Sequence, residues 1–167
     1  ALVNEDGTMF GEEYTLVAVA DYILSQQVGN TVSNLSSSRA LHDVTVAHGG
    51  EYTAAAVGEV NVVTKMKETG AIIGGEGNGG VIYPALHYGR DAMVGVALFL
   101  TNLAYKKMTV SELRSTYPEY VIAKNKIELS DKGLIDKIDL ENARQKDKWL
   151  CEYDRFEERL ELLAKAG

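Results

Sequence analysis

The stretch Ala71-Ile72-Ile73-Gly74-Gly75-Glu76-Gly77-Asn78-Gly79-Gly80 decides the fold. Its first three residues read as a short buried strand, and the seven that follow hold five glycines. A strand that runs into such a loop is the pattern of an open α/β sheet, which places its ligands at the carboxyl ends of its strands. Upstream, Gly58 punctuates between a small-residue strand over 53–57 and a helix marked by Val60, Val63 and Met66 that ends near Gly70.

The same alternation extends outward. Glu12 and Glu13 open a helix over 12–25 at the positive end of its macrodipole, and Leu16, Val19, Ala20 and Ile23 give it an apolar face. A strand follows over 32–35, then Ser36-Ser37-Ser38 as an N-cap, then a helix through Ala40, Val44 and Ala47 that stops at Gly49-Gly50. Downstream of the glycines, 90–105 reads as a deeply packed helix with Asp91 at its mouth and Met93, Val96, Ala97, Leu100 and Ala104 on one face. Thr109-Val110-Ser111-Glu112 is a capping box, with Met108 and Leu113 placed as a staple, for a short helix that Pro118 closes. The expected fold over 11–118 is a three-layer α/β/α sandwich with a mixed sheet. Beyond it, 120–129 reads as a linker or edge strand. Trp149, Tyr153, Phe156, Leu160 and Leu163 recur at steps of four and three, so the segment 119–167 is expected to end in a helical extension whose aromatic stripe is a packing face.

Composition bounds the function. A chain of 167 residues with 46% hydrophobic and 25% charged residues folds around a real core. Its 24 acids outweigh 17 bases for a net charge of -7, which argues against a nucleic-acid or acidic-membrane partner and leaves a small molecule or a protein. No apolar run approaches the ~20 residues of a membrane span. The single cysteine, Cys151, makes no internal disulfide and suits a reducing, cytoplasmic setting. The chain opens on the apolar stub Ala1-Leu2-Val3 without a methionine and runs into the turn Asn4-Glu5-Asp6-Gly7, so it reads as a piece of something longer.

The loop 74–80 carries the one outstanding candidate site. Gly75, Gly77 and Gly80 satisfy Gly-x-Gly-x-x-Gly, but a dinucleotide site needs a helix to open at once, and Pro84 intervenes. Glu76 would also repel a phosphate, and no Gly-Lys-Ser/Thr is present for a phosphate loop of the Walker type. An ionised Glu76 can instead accept hydrogen bonds from two neighbouring hydroxyls, with Asn78 donating and accepting beside it. That is polyol or sugar chemistry, although an ordinary exposed turn carrying Glu and Asn satisfies the composition as well. Gly58-Glu59, at another strand end, either lines the same cleft or only starts a helix. His42, His48 and His87 lack metal-ligand spacing.

Taken together, Leu2-Val3-Asn4-Glu5-Asp6-Gly7, Gly11-Glu12-Glu13, Asn34-Leu35-Ser36-Ser37-Ser38, Val57-Gly58-Glu59 and Gly74 through Gly80 resemble the third domain of the alpha-D-phosphohexomutases, in the phosphoglucosamine mutase and phosphomannomutase branch. The resemblance implies a parent enzyme that moves phosphate reversibly between the 1- and 6-positions of a hexose phosphate. It implies a phosphoserine in a first domain, Mg²⁺ on an aspartate-rich loop in a second, and a fourth domain that grips the substrate phosphate. Glu76, Gly77 and Asn78 are then implied to contact the sugar, with Gly58 and Glu59 lining the cleft. Residues 1–10 are implied to be the end of the preceding metal-loop domain. The phosphoserine, metal and phosphate-gripping motifs do not occur in this sequence, so neither a catalytic residue nor a metal ligand is expected in it. The expected partners are the hexose phosphate and the parent's remaining domains. The other reading is a non-catalytic carbohydrate-binding or interaction module with the same fold.

Overall fold

The computed structural model describes residues 1–121, and the expected linker beyond them and the aromatic stripe from Trp149 lie outside the described residues. Residues Ala1–Tyr120 form one compact unit. In chain order the elements are α1 (Glu12–Gln26), β1 (Thr31–Asn34), α2 (Ala40–Ala47), β2 (Tyr52–Ala55), α3 (Glu59–Thr69), β3 (Ile73–Glu76), β4 (Gly80–Ile82), α4 (Ala92–Lys106) and α5 (Val110–Ser115). The sheet order is β2-β1-β3-β4, with β1 parallel to both β2 and β3, and β4 antiparallel to β3.

The sheet has a core on each face. On one side α3 lays Val62 and Met66 against Val32, Ala55, Ala71 and Ile82. On the other, α1 runs between α2 and α4, and its Leu16, Val17, Val19 and Leu24 join Ile73, Val81, Phe10 and Phe99. These are the three layers expected. Flanked on two sides, α1 is buried nearly all round from Leu16 to Ala20 and not along one stripe only. Phe10 meets Phe99 edge to face at 5.0 Å, which seats the hairpin that pairs Val3 with Met9 on the same core.

Two expectations are corrected. The strand before the glycines does not stop at Ile73 but continues through Gly74 and Gly75 to Glu76, turns over 77–79, and returns as β4. Glycine is required inside this strand because a Cβ on Gly75 would lie 1.8 Å from the Gly80 carbonyl oxygen. The second correction concerns α4, whose predicted apolar face points outward, with Met93 77% and Leu100 57% exposed. The buried face is Gly95, Phe99 and Asn102. Gly95 lets the helix close on Val81, and Asn102 donates its Nδ2 to the Ala18 carbonyl of α1 at 2.9 Å. A helix that is apolar all round gives periodicity no face to choose, and the polar Asn102 conceals the seam.

At the end of the unit where α1 finishes, Asp21 ties three elements together. It accepts from His48 Nε2 at 2.8 Å at the end of α2, from Lys106 at the end of α4, and from the Tyr117 hydroxyl at 2.8 Å. Burial pushes the Asp21 carboxyl up, but the hydrogen bonds from Lys106, His48 and Tyr117 and the Lys106 charge outweigh it and hold it below its ordinary range. The stability this contributes is present above the unfolded carboxyl range and is lost as pH falls through the lower folded value. Asp21→Asn is therefore expected to lower stability at neutral pH by roughly 1–3 kcal/mol, since hydrogen bonds to a charged group are of that size. Its urea midpoint should also fall less steeply than the wild type's below about pH 4. Parallel pH profiles for the two proteins would refute this role for Asp21.

Candidate functional site

The polar constellation gathers at the carboxyl ends of the strands. Glu76 closes β3 and is only 6% exposed, where sequence reasoning expected an exposed loop glutamate. Its Oε1 accepts from Asn34 Nδ2 at 3.0 Å, and its Oε2 accepts from an Arg90 guanidinium nitrogen at 3.1 Å. Asn34 ends β1, one strand over, and its orientation is fixed because its Oδ1 accepts from the Ser36 amide at 3.2 Å and the Ser37 hydroxyl at 3.0 Å. Each Glu76 oxygen thus has one protein donor and a further lone pair.

Glu59 joins the same network. It is the first residue of α3, after Gly58, whose φ of 117 places it in the region that favours glycine. Glu59 accepts from the Arg90 backbone amide at 3.2 Å and from Arg90 Nε at 2.9 Å, and the backbone bond, followed by the side-chain one, holds its carboxyl below the usual range. Gly58-Glu59 therefore both starts a helix and shares one guanidinium with Glu76.

Gly77 lies in the hairpin turn against the Ser36-Ser37 loop: a Cβ on it would lie 3.0 Å from the Ser37 hydroxyl. Asn78 is exposed in the same turn, and its Oδ1 accepts from the Gly80 amide at 3.1 Å. It borders a cleft with Ala1, Leu2, Glu12 and Ala92. The N-cap of α2 is Arg39 and not one of the three serines; Ser38, just before it, accepts from the Ala40 amide at 3.1 Å, and its own amide and hydroxyl both donate to Glu13 at 2.6 Å.

The remaining candidates have local duties. His87 Nδ1 accepts from the Gly89 amide at 3.1 Å, so Nε2 carries the proton it donates to Asp91 at 3.0 Å. Asp91 caps α4 by accepting from the Met93 and Val94 amides, and the Val94 bond, followed by that from His87, holds its carboxyl below the ordinary range. His42 faces Asp43, and His48 faces Asp21. Among the described residues no group of three or more His, Cys, Asp or Glu is arranged to hold a metal ion. Also among the described residues, no helix is long and apolar enough to cross a membrane.

Sequence reasoning missed Asn34 and Arg90. Asn34 had a signal, since it falls at a strand end one strand away from Glu76. Arg90 carries no such signal, standing in the sequence only at the start of a helix.

A mixed sheet between two helical layers, with a buried carboxylate paired to an arginine at the strand ends, defines an α/β/α domain. The family model described as phosphoglucomutase/phosphomannomutase, alpha/beta/alpha domain III, matches residues 11–120, and the chain belongs to that family. It is 30% identical over 139 residues to a phosphoglucomutase/phosphomannomutase of Thermococcus kodakarensis, a match covering 81% of this chain and 30% of the relative. It is likewise 30% identical over 107 residues to a phosphoglucosamine/phosphogalactosamine mutase of Sulfurisphaera tokodaii, covering 64% and 24%. A crystal structure of a phosphoglucomutase/phosphomannomutase family protein from Burkholderia thailandensis superposes with a TM-score of 0.61 at 27% identity, covering 71% of this chain and 26% of that one. The chain spans less than a third of the length of the curated relatives it matches.

Proposed function

We propose that this domain recognises the sugar in a phosphohexomutase that carries phosphate reversibly between the 1- and 6-positions of a hexose phosphate. The observation that carries the proposal is the Glu76 carboxylate, ion-paired to Arg90 and fixed by Asn34 at a strand end of a family domain III. An anion held this way presents its spare lone pairs to hydroxyl donors, and a sugar offers such donors in adjacent pairs. Gly77 and Asn78 on the hairpin turn, with Gly58 and Glu59 on the facing loop, line the same recognition surface. Arg90 and Asn34 orient the acceptor, and burial keeps water from competing for it. The proposed division is residues 1–10 as the end of a preceding domain and 11–118 as the sugar domain; the segment expected to follow over 119–167 lies, beyond residue 121, outside the described residues.

In the parent, Mg²⁺ would stabilise charge on the transferred phosphoryl group from ligands outside the described residues. The proposed partners are the hexose phosphate and the parent's other domains, and the proposed setting is the cytoplasm. The test is a mutase assay of the full-length parent against glucosamine, mannose and glucose 1-phosphates, with the 167-residue chain alone as control. Turnover by the parent and none by the chain is expected. A parent inactive on all three would favour a binding module instead.

A further inference from the structure

Arg90 is laid out for a single task. Its backbone is held as an extra rung beside β4, through the Ile82–Arg90 bridge and the bond from the Asp91 amide to the Val81 carbonyl at 2.9 Å. From there its side chain crosses over Gly80: a Cβ on Gly80 would lie 2.7 Å from Arg90 Cδ and 3.4 Å from its Cγ. Beyond Gly80 the guanidinium meets Glu59 through Nε and Glu76 through a terminal nitrogen. The bare backbone at Gly80, the Glu59 carboxylate and the strand-like hold on residue 90 all set the path of one arm. That arm ends on the buried oxygen of Glu76.

We propose that Arg90 is a positioning residue for Glu76, with Glu59 as its anchor and Gly80 as the track along which its side chain lies; this rests on the sugar-binding reading of Glu76. Glu76 is buried and Arg90 is 46% exposed, so the pair meets solvent through the arginine side. The guanidinium and the Asn34 amide take one lone pair from each oxygen and so fix where the other two point. Lysine does not reproduce this, because its ammonium is a compact charge with freely rotating donors, whereas the guanidinium holds its donors apart in a rigid fork.

The test compares Glu76→Gln, Arg90→Ala, Gly80→Ala and the Gly80→Ala/Arg90→Ala pair in the full-length enzyme. Gly80→Ala removes no polar group, and its Cβ presses first on the Arg90 arm at 2.7 Å, with Asn78 Oδ1 next at 3.3 Å. Arg90→Ala and Gly80→Ala are each expected to lower kcat/KM roughly tenfold or more, since about 1 Å of misplacement can cost ~100-fold. The double variant should be no worse than Arg90→Ala alone, because both changes act through one side chain. Added guanidinium ion should restore part of the activity of Arg90→Ala, which a purely structural role would not allow. Wild-type kinetics for Glu76→Gln would sink the sugar-binding reading. An impaired Glu76→Gln beside wild-type Arg90→Ala and Gly80→Ala would leave that reading standing and overturn this one. Independently of activity, Arg90→Ala in the 167-residue chain should shift the Asn34 side-chain amide resonances, because the carboxylate they bond to is no longer held. Unmoved resonances would refute the positioning role.

Discussion

Replacing Glu76 by Gln is expected to lower kcat/KM of the full-length enzyme by about 10- to 150-fold, the equivalent of one hydrogen bond to a charged group at roughly 1.5–3 kcal/mol. The same change is expected to lower the melting temperature of the 167-residue chain. Glu76 accepts from Asn34 on one oxygen and from Arg90 on the other, so whichever way a Gln amide turns, its NH₂ faces another donor. The domain would lose a charge-assisted bond and gain a donor-donor contact at a buried position, again on the order of 1–3 kcal/mol. A control follows from this: kinetics must be compared well below the variant's melting temperature, where both proteins are folded. Wild-type kinetics would dismiss Glu76 as a sugar acceptor. An unchanged melting temperature would dismiss its ion pair as a stabilising contact.

Gly75→Ala should be the more damaging change to the fold. The new Cβ would lie 1.8 Å from the Gly80 carbonyl oxygen and 3.2 Å from Leu16 Cδ2. Leu16 can adjust, but the carbonyl belongs to the paired strand and cannot move without opening the hairpin. The expected loss lies at or beyond the upper end of the ~1–3 kcal/mol that overpacking costs, read as a lower urea midpoint. Because Glu76 is the next residue, the substitution should also abolish whatever Glu76 does. A wild-type midpoint would mean that β3 and β4 are not paired in the register Gly75–Val81.

Most of the frame was legible because it rests on local signals. The acids that open α1, the reciprocal bonds of Thr109 and Glu112 at α5, and the short runs that became β1 and β2 are each set by neighbouring residues. Legibility failed where a residue's reason lies across the sheet. Gly74 and Gly75 read as a loop because the sequence cannot show the second strand that presses against them. Glu76 read as exposed because its two donors come from residue 34 and residue 90. The outward face of α4 looked like the buried one because nothing local marks Asn102 as the residue that touches α1. The candidate site was therefore found by its acceptor and missed in its donors.

The Asp21 junction and the Glu76 constellation stand at opposite ends of α1. Glu13 reaches the loop after β1, while Asp21 meets the ends of α2 and α4 eight residues further on, about 12 Å along the helix at 1.5 Å per residue. Changes separated by more than about 7–10 Å and sharing no partner generally act additively. The domain is thus fastened separately at its two ends. Substitutions in the loops around Glu76 should therefore leave the fastening at Asp21 undisturbed. A laboratory library confined to those loops should accordingly return folded variants at a rate set by the hairpin glycines and not by the remainder of the domain.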